Sequence, residues 1–177
     1  MRNIVYYVAS SLDGYIAGAN EDISTFVGEG AAVEQYMQDL QAFDTVIMGK
    51  RTYEFGYKFG LKPGQAAYPH MEHHIFSDSL RLENADPKVH VHPPRLEIIK
   101  TLKQTEGTDI YLCGGGVFAG WLLENEMIDF LKIKLNPITL GEGTPLLGGV
   151  KKQTKNQLTE VQEFEHGLLI LTYKIMY

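Results

Sequence analysis

Two short segments place chemically capable residues where an anion could be held: Val46-Ile47-Met48-Gly49-Lys50-Arg51-Thr52-Tyr53-Glu54 and Ile110-Tyr111-Leu112-Cys113-Gly114-Gly115-Gly116-Val117-Phe118. Each is an apolar run of strand length, broken by glycine and followed by residues that open a helix. A glycine turn at a helix start leaves backbone N–H groups free, and the helix dipole adds positive potential there. Gly49 lets the backbone pass closely beneath a pyrophosphate, with the N–H groups of Lys50, Arg51 and Thr52 and the Thr52 hydroxyl as donors. Lys50 and Arg51 add cationic charge, and a guanidinium grips two oxygens at once. Gly114, Gly115 and Gly116, with the helix beginning near Val117, serve the other side of the bridge. Two such turns in one small chain point to an extended phosphate bridge, and a dinucleotide carries one.

The elements that must position these turns alternate. Ile4–Ser10 reads as a buried first strand, followed by a long loop from Asp13-Gly14 to about Gly30. Ala31–Phe43 has helical spacing, Thr45–Met48 is the second strand, and the helix after Gly49 ends before Pro63-Gly64. Short strands are expected at His74–Phe76 and Val89–Val91, and Pro94 suits the first turn of a helix over Leu96–Lys103. Asp109–Leu112 and Phe130–Asn136 read as strands flanking a helix at Val117–Glu124. Leu158–Phe164 and Leu168–Met176, joined at His166-Gly167, form a closing hairpin. Helices among the early strands imply parallel crossovers, and the hairpin implies an antiparallel edge. The expected fold is therefore a single α/β domain over residues 1–177, with a mixed, mostly parallel sheet flanked by helices.

Composition excludes several classes. A net charge of −6 argues against a broad nucleic-acid or membrane surface, while leaving room for the local Lys50-Arg51 pair. One cysteine excludes an internal disulfide and fits a reducing, cytoplasmic setting. No apolar run reaches the roughly 20 residues of a transmembrane helix. Cys113 directly follows an apolar strand and reads as an inert buried thiol. His90 and His92 share a strand face, with His70, His73 and His74 upstream, but no spacing fixes a third ligand, so no metal site is assigned. Gly114-x-Gly116-x-x-Ala119 also satisfies the Rossmann fingerprint, yet the acid expected about 20 positions later is missing at Leu135-Asn136-Pro137.

The residues also resemble a known family. Val46–Glu54 is similar to the dihydrofolate reductase signature Met-Gly-Arg-x-Thr-aromatic-Glu, and Ile110–Gly116 to that family's second glycine turn. Ser11-Leu12-Asp13-Gly14-Tyr15-Ile16-Ala17 resembles the reductase domain of bacterial riboflavin biosynthesis, which shares the fold. Gly143-Thr144-Pro145-Leu146 matches the segment that dihydrofolate reductases place beside the pterin. The resemblance spans Asn3 to Tyr177 in element order. It implies the dihydrofolate reductase-like fold and a reductase that passes a hydride from NADPH to a small heterocycle, a pterin, a pyrimidine or another C=N or C=O compound. The rival is a non-catalytic NADP(H)-binding or sensing protein of the same fold. The resemblance further puts Ala9 and Ile16 at the nicotinamide and Ser77 on the adenosine 2′-phosphate, with Asp78 departing from the family's second serine. On the acceptor side, the Pro-Trp run before the family's helical carboxylate is absent, and Glu34 is the nearest acid on the corresponding helix. Asp13 is the favoured polar contact near the nicotinamide, and Thr144 can hydrogen-bond a heterocyclic amide from the opposite wall. Riboflavin-type relatives commonly pair, which implies a homodimer.

Overall fold

The computed structural model describes residues 1–177. Strand β1 covers Ile4–Ser10, and a short β2, Tyr15–Ala17, lies inside the expected loop. Helix α1 runs Ala31–Leu40, β3 is Thr45–Gly49, and α2 is Lys50–Phe55, continued by a 3-10 turn at Gly56–Phe59. Then come β4 (Glu72–Phe76), β5 (Val89–His92), α3 (Leu96–Gln104), β6 (Ile110–Gly114) and α4 (Gly116–Glu124). The chain closes with β7 (Phe130–Leu135), β8 (Thr144–Pro145), β9 (Lys155–Glu163) and β10 (Leu169–Met176).

The main sheet has eight strands in the order β5-β4-β3-β6-β1-β7-β10-β9. The first six are mutually parallel, while β10 runs antiparallel to both β7 and β9. This is an α/β arrangement with the expected mixed, mostly parallel sheet and C-terminal hairpin. After β1 the chain leaves a gap, builds β3, β4 and β5 outward, and returns to fill the gap with β6. The connections therefore reverse direction around β3, β6 and β1, and open α/β sheets bind ligands beyond the strand ends at such a place.

Each face of the sheet carries a core. Ile4, Tyr6, Ile47, Ile110 and Leu112 pack with Ile99 of α3 and Ala119, Leu122 and Leu123 of α4. On the opposite face Val5, Tyr7, Val46, Met48 and Tyr111 pack with Leu40 of α1 and Tyr53 of α2. The period-two alternation along β1 and β6 feeds both, which is why these strands read as continuous apolar runs.

Several boundaries differ from expectation, each for a local reason. Helix α1 stops at Leu40, where Ala42 and Phe43 turn back onto Asp39 and Leu40, rather than reaching Phe43. The helix after Gly49 does end before Pro63-Gly64 as expected, its 3-10 extension closing at Gly60 with φ 90°. Pro94 precedes the cap residue Arg95 instead of sitting in the first turn of α3. Strand β9 begins at Lys155, three residues early, because pairing with β10 continues through polar residues to Met176↔Lys155. Strands β2 and β8 form a separate two-stranded ribbon, which local pattern alone does not reveal.

Candidate active site

The C-terminal ends of the parallel strands present Ala9, Gly49, Ser77, Gly114 and Lys134 along one edge of the sheet. Gly49 is the cap residue of α2 and Gly115 that of α4, and neither helix start is satisfied by a side chain. Helix α2 leaves β3 toward one face and α4 leaves β6 toward the other, so their first turns flank the edge between them. The two turns touch: a Cβ on Gly115 would stand 3.1 Å from Thr52 Oγ1, and one on Gly49 3.3 Å from Phe118 Cβ. Gly114 sits at φ 124°, open to glycine alone, and the Gly114–Gly115 peptide is cis. Val117 is 70% exposed at the start of α4.

The third glycine of the run does something the sequence does not disclose. A side chain on Gly116 would collide with the Pro145 carbonyl oxygen, and Gly148 N lies 3.2 Å from the same point. Gly116 thus lets the segment after β8 press against α4. Gly143 similarly lets that segment meet the Ala17 carbonyl of β2. Tyr6 adds a hydrogen bond from its hydroxyl to the Leu146 carbonyl at 2.9 Å. The ribbon carrying Ile16 and Thr144, both half-buried, is fixed beside the first turn of α4.

The basic pair is engaged on one side. Lys50 Nζ reaches Ser79 Oγ at 3.2 Å, whereas Arg51 pairs with Glu21 at 3.1 Å. Lys58 holds the same Glu21 carboxylate at 2.9 Å, and these two cations keep Glu21 below the usual carboxylate range. The Ser77 hydroxyl accepts the N–H groups of Ser79 and Leu80, so it shapes the turn after β4. A cavity of about 560 Å³ opens beside it, lined among others by Arg81, His92 and Pro93.

On the acceptor side, Asp13 accepts the Ser11 hydroxyl at 2.6 Å and the N–H groups of Leu140 and Gly141, which hold its carboxyl down to about 2. It ties the turn before β2 to the loop before β8. Glu34 lies exposed in the first turn of α1, and its carboxylate makes no hydrogen bond or ion pair. Beneath them the α1 face of the sheet is phenolic. Tyr36 and Tyr111 share a hydroxyl–hydroxyl contact of 2.7 Å, and the Tyr68 hydroxyl lies 3.6 Å from Cys113 Sγ. Burial pushes these phenols and the thiol upward, so all stay protonated near neutral pH.

Sequence reasoning passed over Glu21, Lys58 and Lys134. The available signal for the last was its place in Phe-Leu-Lys-Ile-Lys-Leu, where alternate positions put two lysines on the face that Phe130 buries. The histidines stack instead of converging: His74 Nδ1 is 2.8 Å from His92 Nε2, and His90 bonds Glu72. Burial, reinforced by His92, lowers His74 to about 3. No group of three metal-ligating side chains is placed to hold a metal ion, and no helix is long and apolar enough to cross a membrane.

Comparison with known proteins adds an independent line. The family model of the RibD C-terminal domain matches residues 2–170. The chain is 29% identical over 168 residues to YwjB, an uncharacterised Bacillus subtilis protein, covering 92% of each chain. It superposes on a pyrimidine reductase-like protein from Corynebacterium diphtheriae with a TM-score of 0.75 at 16% identity, covering 99% of this chain and 92% of the other. Dihydrofolate reductase from Enterococcus faecalis, solved with NADP(H), gives a TM-score of 0.64 at 15% identity over 99% and 97% of the two chains.

Proposed function

The chain belongs to the RibD C-terminal domain family, and from that premise we propose that it is a cytoplasmic reductase that takes a hydride from NADPH and delivers it to a small pterin- or pyrimidine-like heterocycle. The observation that carries this reading is the contact between the two glycine turns, with Thr52 against Gly115 at the C-terminal edge of neighbouring strands. Free N–H groups on both sides, plus Lys50 and Arg51, fit a pyrophosphate in charge and in donor chemistry. Gly49 and Gly115 let the two turns close on each other, with Phe118 and Thr52 against the places a Cβ would take, which brings both helix starts to one edge.

When bound, NADPH supplies the hydride, and the chain's residues orient the partners and exclude water. Ala9 and Ile16 form the nicotinamide wall, and Ser77 with Lys50 marks the adenosine 2′-phosphate end. Thr144 faces the acceptor from the β2–β8 ribbon, which Asp13 braces from outside, and Glu34 on α1 is the other candidate acid. The active unit is a homodimer, a reading supported by the apolar residues Leu158 and Val161 that outer strand β9 leaves 47% and 45% exposed.

Titration calorimetry with NADPH and NADH, followed by an absorbance assay of NADPH oxidation against pterins and pyrimidines, tests the reading. Tight NADPH binding with oxidation dependent on one heterocycle is the expected result. Absence of NADPH binding removes the assignment.

A further inference from the structure

Two lysines of this chain are buried, and they are treated differently. Lys103 has the Asp129 carboxylate as its counterion and the Met127 carbonyl as a second acceptor. Lys134 has neither a carboxylate nor a second acceptor. It is 5% exposed, and its single hydrogen bond runs from Nζ to the Val27 carbonyl at 2.7 Å. An ammonium carries three donors, so two of them have no protein partner. Burying a charge in that state is unfavourable unless something else completes its shell. Burial alone, with no opposing charge, lowers the amine below the ordinary lysine range.

Its position says what that something is. Lys134 is the partner of Ala9 in the β1–β7 register, one residue from the C-terminal end of β7. Phe130 and Lys132, at the two preceding alternate positions, face the α1 side, where Phe130 packs in the core and Lys132 pairs with Asp39 at 2.7 Å. Lys134 follows the same alternation and shares that face with Tyr7 and Ala9. The neighbouring strands present Ala9 and Ile170, both uncharged. The Asp39 carboxylate on α1 is already taken by Lys132, Tyr7 and Gln35, and Glu34 points to solvent. The segment that Lys134 touches is itself held: Val27 N donates to Asn136 Oδ1 at 3.1 Å, and the buried Asn136 donates its amide N–H to the Lys134 carbonyl. The ammonium is therefore fixed between the strand ends and the segment entering α1.

Building on the reductase reading, we propose that Lys134 is the group that binds and protonates the hydride acceptor. An ammonium is a donor only, so it selects an acceptor that presents a lone pair at the reacting C=N or C=O. In the step, the acceptor carbon receives the hydride and the double-bond electron pair moves onto nitrogen or oxygen. That atom takes its proton from the Lys134 ammonium, which is left as a neutral amine and regains a proton from water. The phenols of this face stay neutral and do not compete for the proton.

The test uses the full chain with NADPH, and as probes lumazine and 7,8-dihydropterin. Lys134→Gln keeps an N–H for Val27 but removes the charge and the transferable proton, and Lys134→Arg keeps the charge. We expect Lys134→Gln to bind NADPH within twofold of the parent, to bind the carbonyl probe at least tenfold more weakly, and to reduce it about 100-fold more slowly or worse. The parent's kcat/KM should fall as rising pH deprotonates Lys134, whereas the variant's profile should be flat in that range. Lys134→Arg should recover probe binding. A Lys134→Gln protein that binds and reduces the carbonyl probe like the parent, or that loses only melting temperature, overturns the assignment and leaves the reductase reading intact. A parent that holds NADPH but neither binds nor reduces any probe overturns both.

Discussion

Arg51 Nη2 and Glu21 Oε1 meet at 3.1 Å, so a residue expected to grip phosphate grips a carboxylate of its own chain. Glu21 follows Asn20 in the left-handed region, at φ 61° and 56°, and this places its carboxylate within reach of both Arg51 and Lys58. Glu21 thus occupies charge that an anionic ligand would use. Glu21→Gln should tighten NADPH binding about 1.4- to fivefold, the span of roughly 0.2–1 kcal/mol found for exposed pairs. It should also steepen the salt dependence of binding. Arg51→Ala should weaken NADPH by about 1.5 kcal/mol, the lower end for a charge-assisted bond, because the side chain is 78% exposed and screened. Calorimetry at two salt concentrations checks both, and unchanged affinity in Arg51→Ala would remove that residue from the phosphate site.

Gly116 provides a packing test. Gly116→Ala should destabilise the protein by about 1–3 kcal/mol, since the Pro145–Gly148 backbone has to move to admit the methyl group. Gly28→Ala has nothing within 4 Å of the new atom and serves as the control, with little change expected. Denaturant unfolding of the two variants reads the difference, and equal midpoints would contradict the close approach.

Asp13 makes stability depend on pH with a definite sign. Its carboxyl titrates near 2 in the folded chain, against 3.8 ordinarily, because the Ser11 hydroxyl and the Gly141 and Leu140 N–H groups bond the charged form. A group depressed in this way stabilises the fold above its unfolded pKa, and the contribution disappears as the pH falls from about 4 to 2. Asp13→Asn should therefore flatten acid unfolding in that window while keeping the turn. If Asp13 also shapes the acceptor wall, KM for the heterocycle should rise with NADPH affinity unchanged. Glu34→Gln is the companion variant, and a larger rate loss there would move the chemistry onto α1.

Assembly is tested at β9. Light scattering should give twice the chain mass of 19.9 kDa at micromolar concentration. Leu158→Glu combined with Val161→Glu should yield monomers, because both apolar side chains lie on the exposed outer strand. A monomeric parent would dismiss the dimer.

Where period and punctuation are local, the chain is readable. Ile4–Ser10 and both glycine turns are recognisable because strand and turn signals lie within a few residues of each other. What escapes reading depends on partners distant in sequence. The β2–β8 ribbon joins Ala17 to Thr144, a pairing that neither short stretch encodes alone. Gly116 reads as part of a phosphate turn, whereas its neighbour is Pro145, from another loop. Lys134 looks like a solvated alternate position until β1 and β10 are laid on either side of it. Glu21 sits in a polar loop with no periodicity, so its meeting with Arg51 follows only from the folded path.

The close backbone approaches at Gly143 and Gly116 also bear on how such a protein diversifies. They run from the Ala17 carbonyl through Gly143 to Pro145 and onto α4, with no side chain in between. Mutations along that line disturb the frame, while Ile16 and Thr144, both half-buried, lie on the ribbon outside these backbone approaches. Evolution toward a new acceptor can therefore proceed by exchanging those side chains, leaving the main-chain course and the phosphate turns untouched. Libraries built at Ile16 and Thr144 should keep most members folded, and libraries at Gly116 or Gly143 should lose most of theirs.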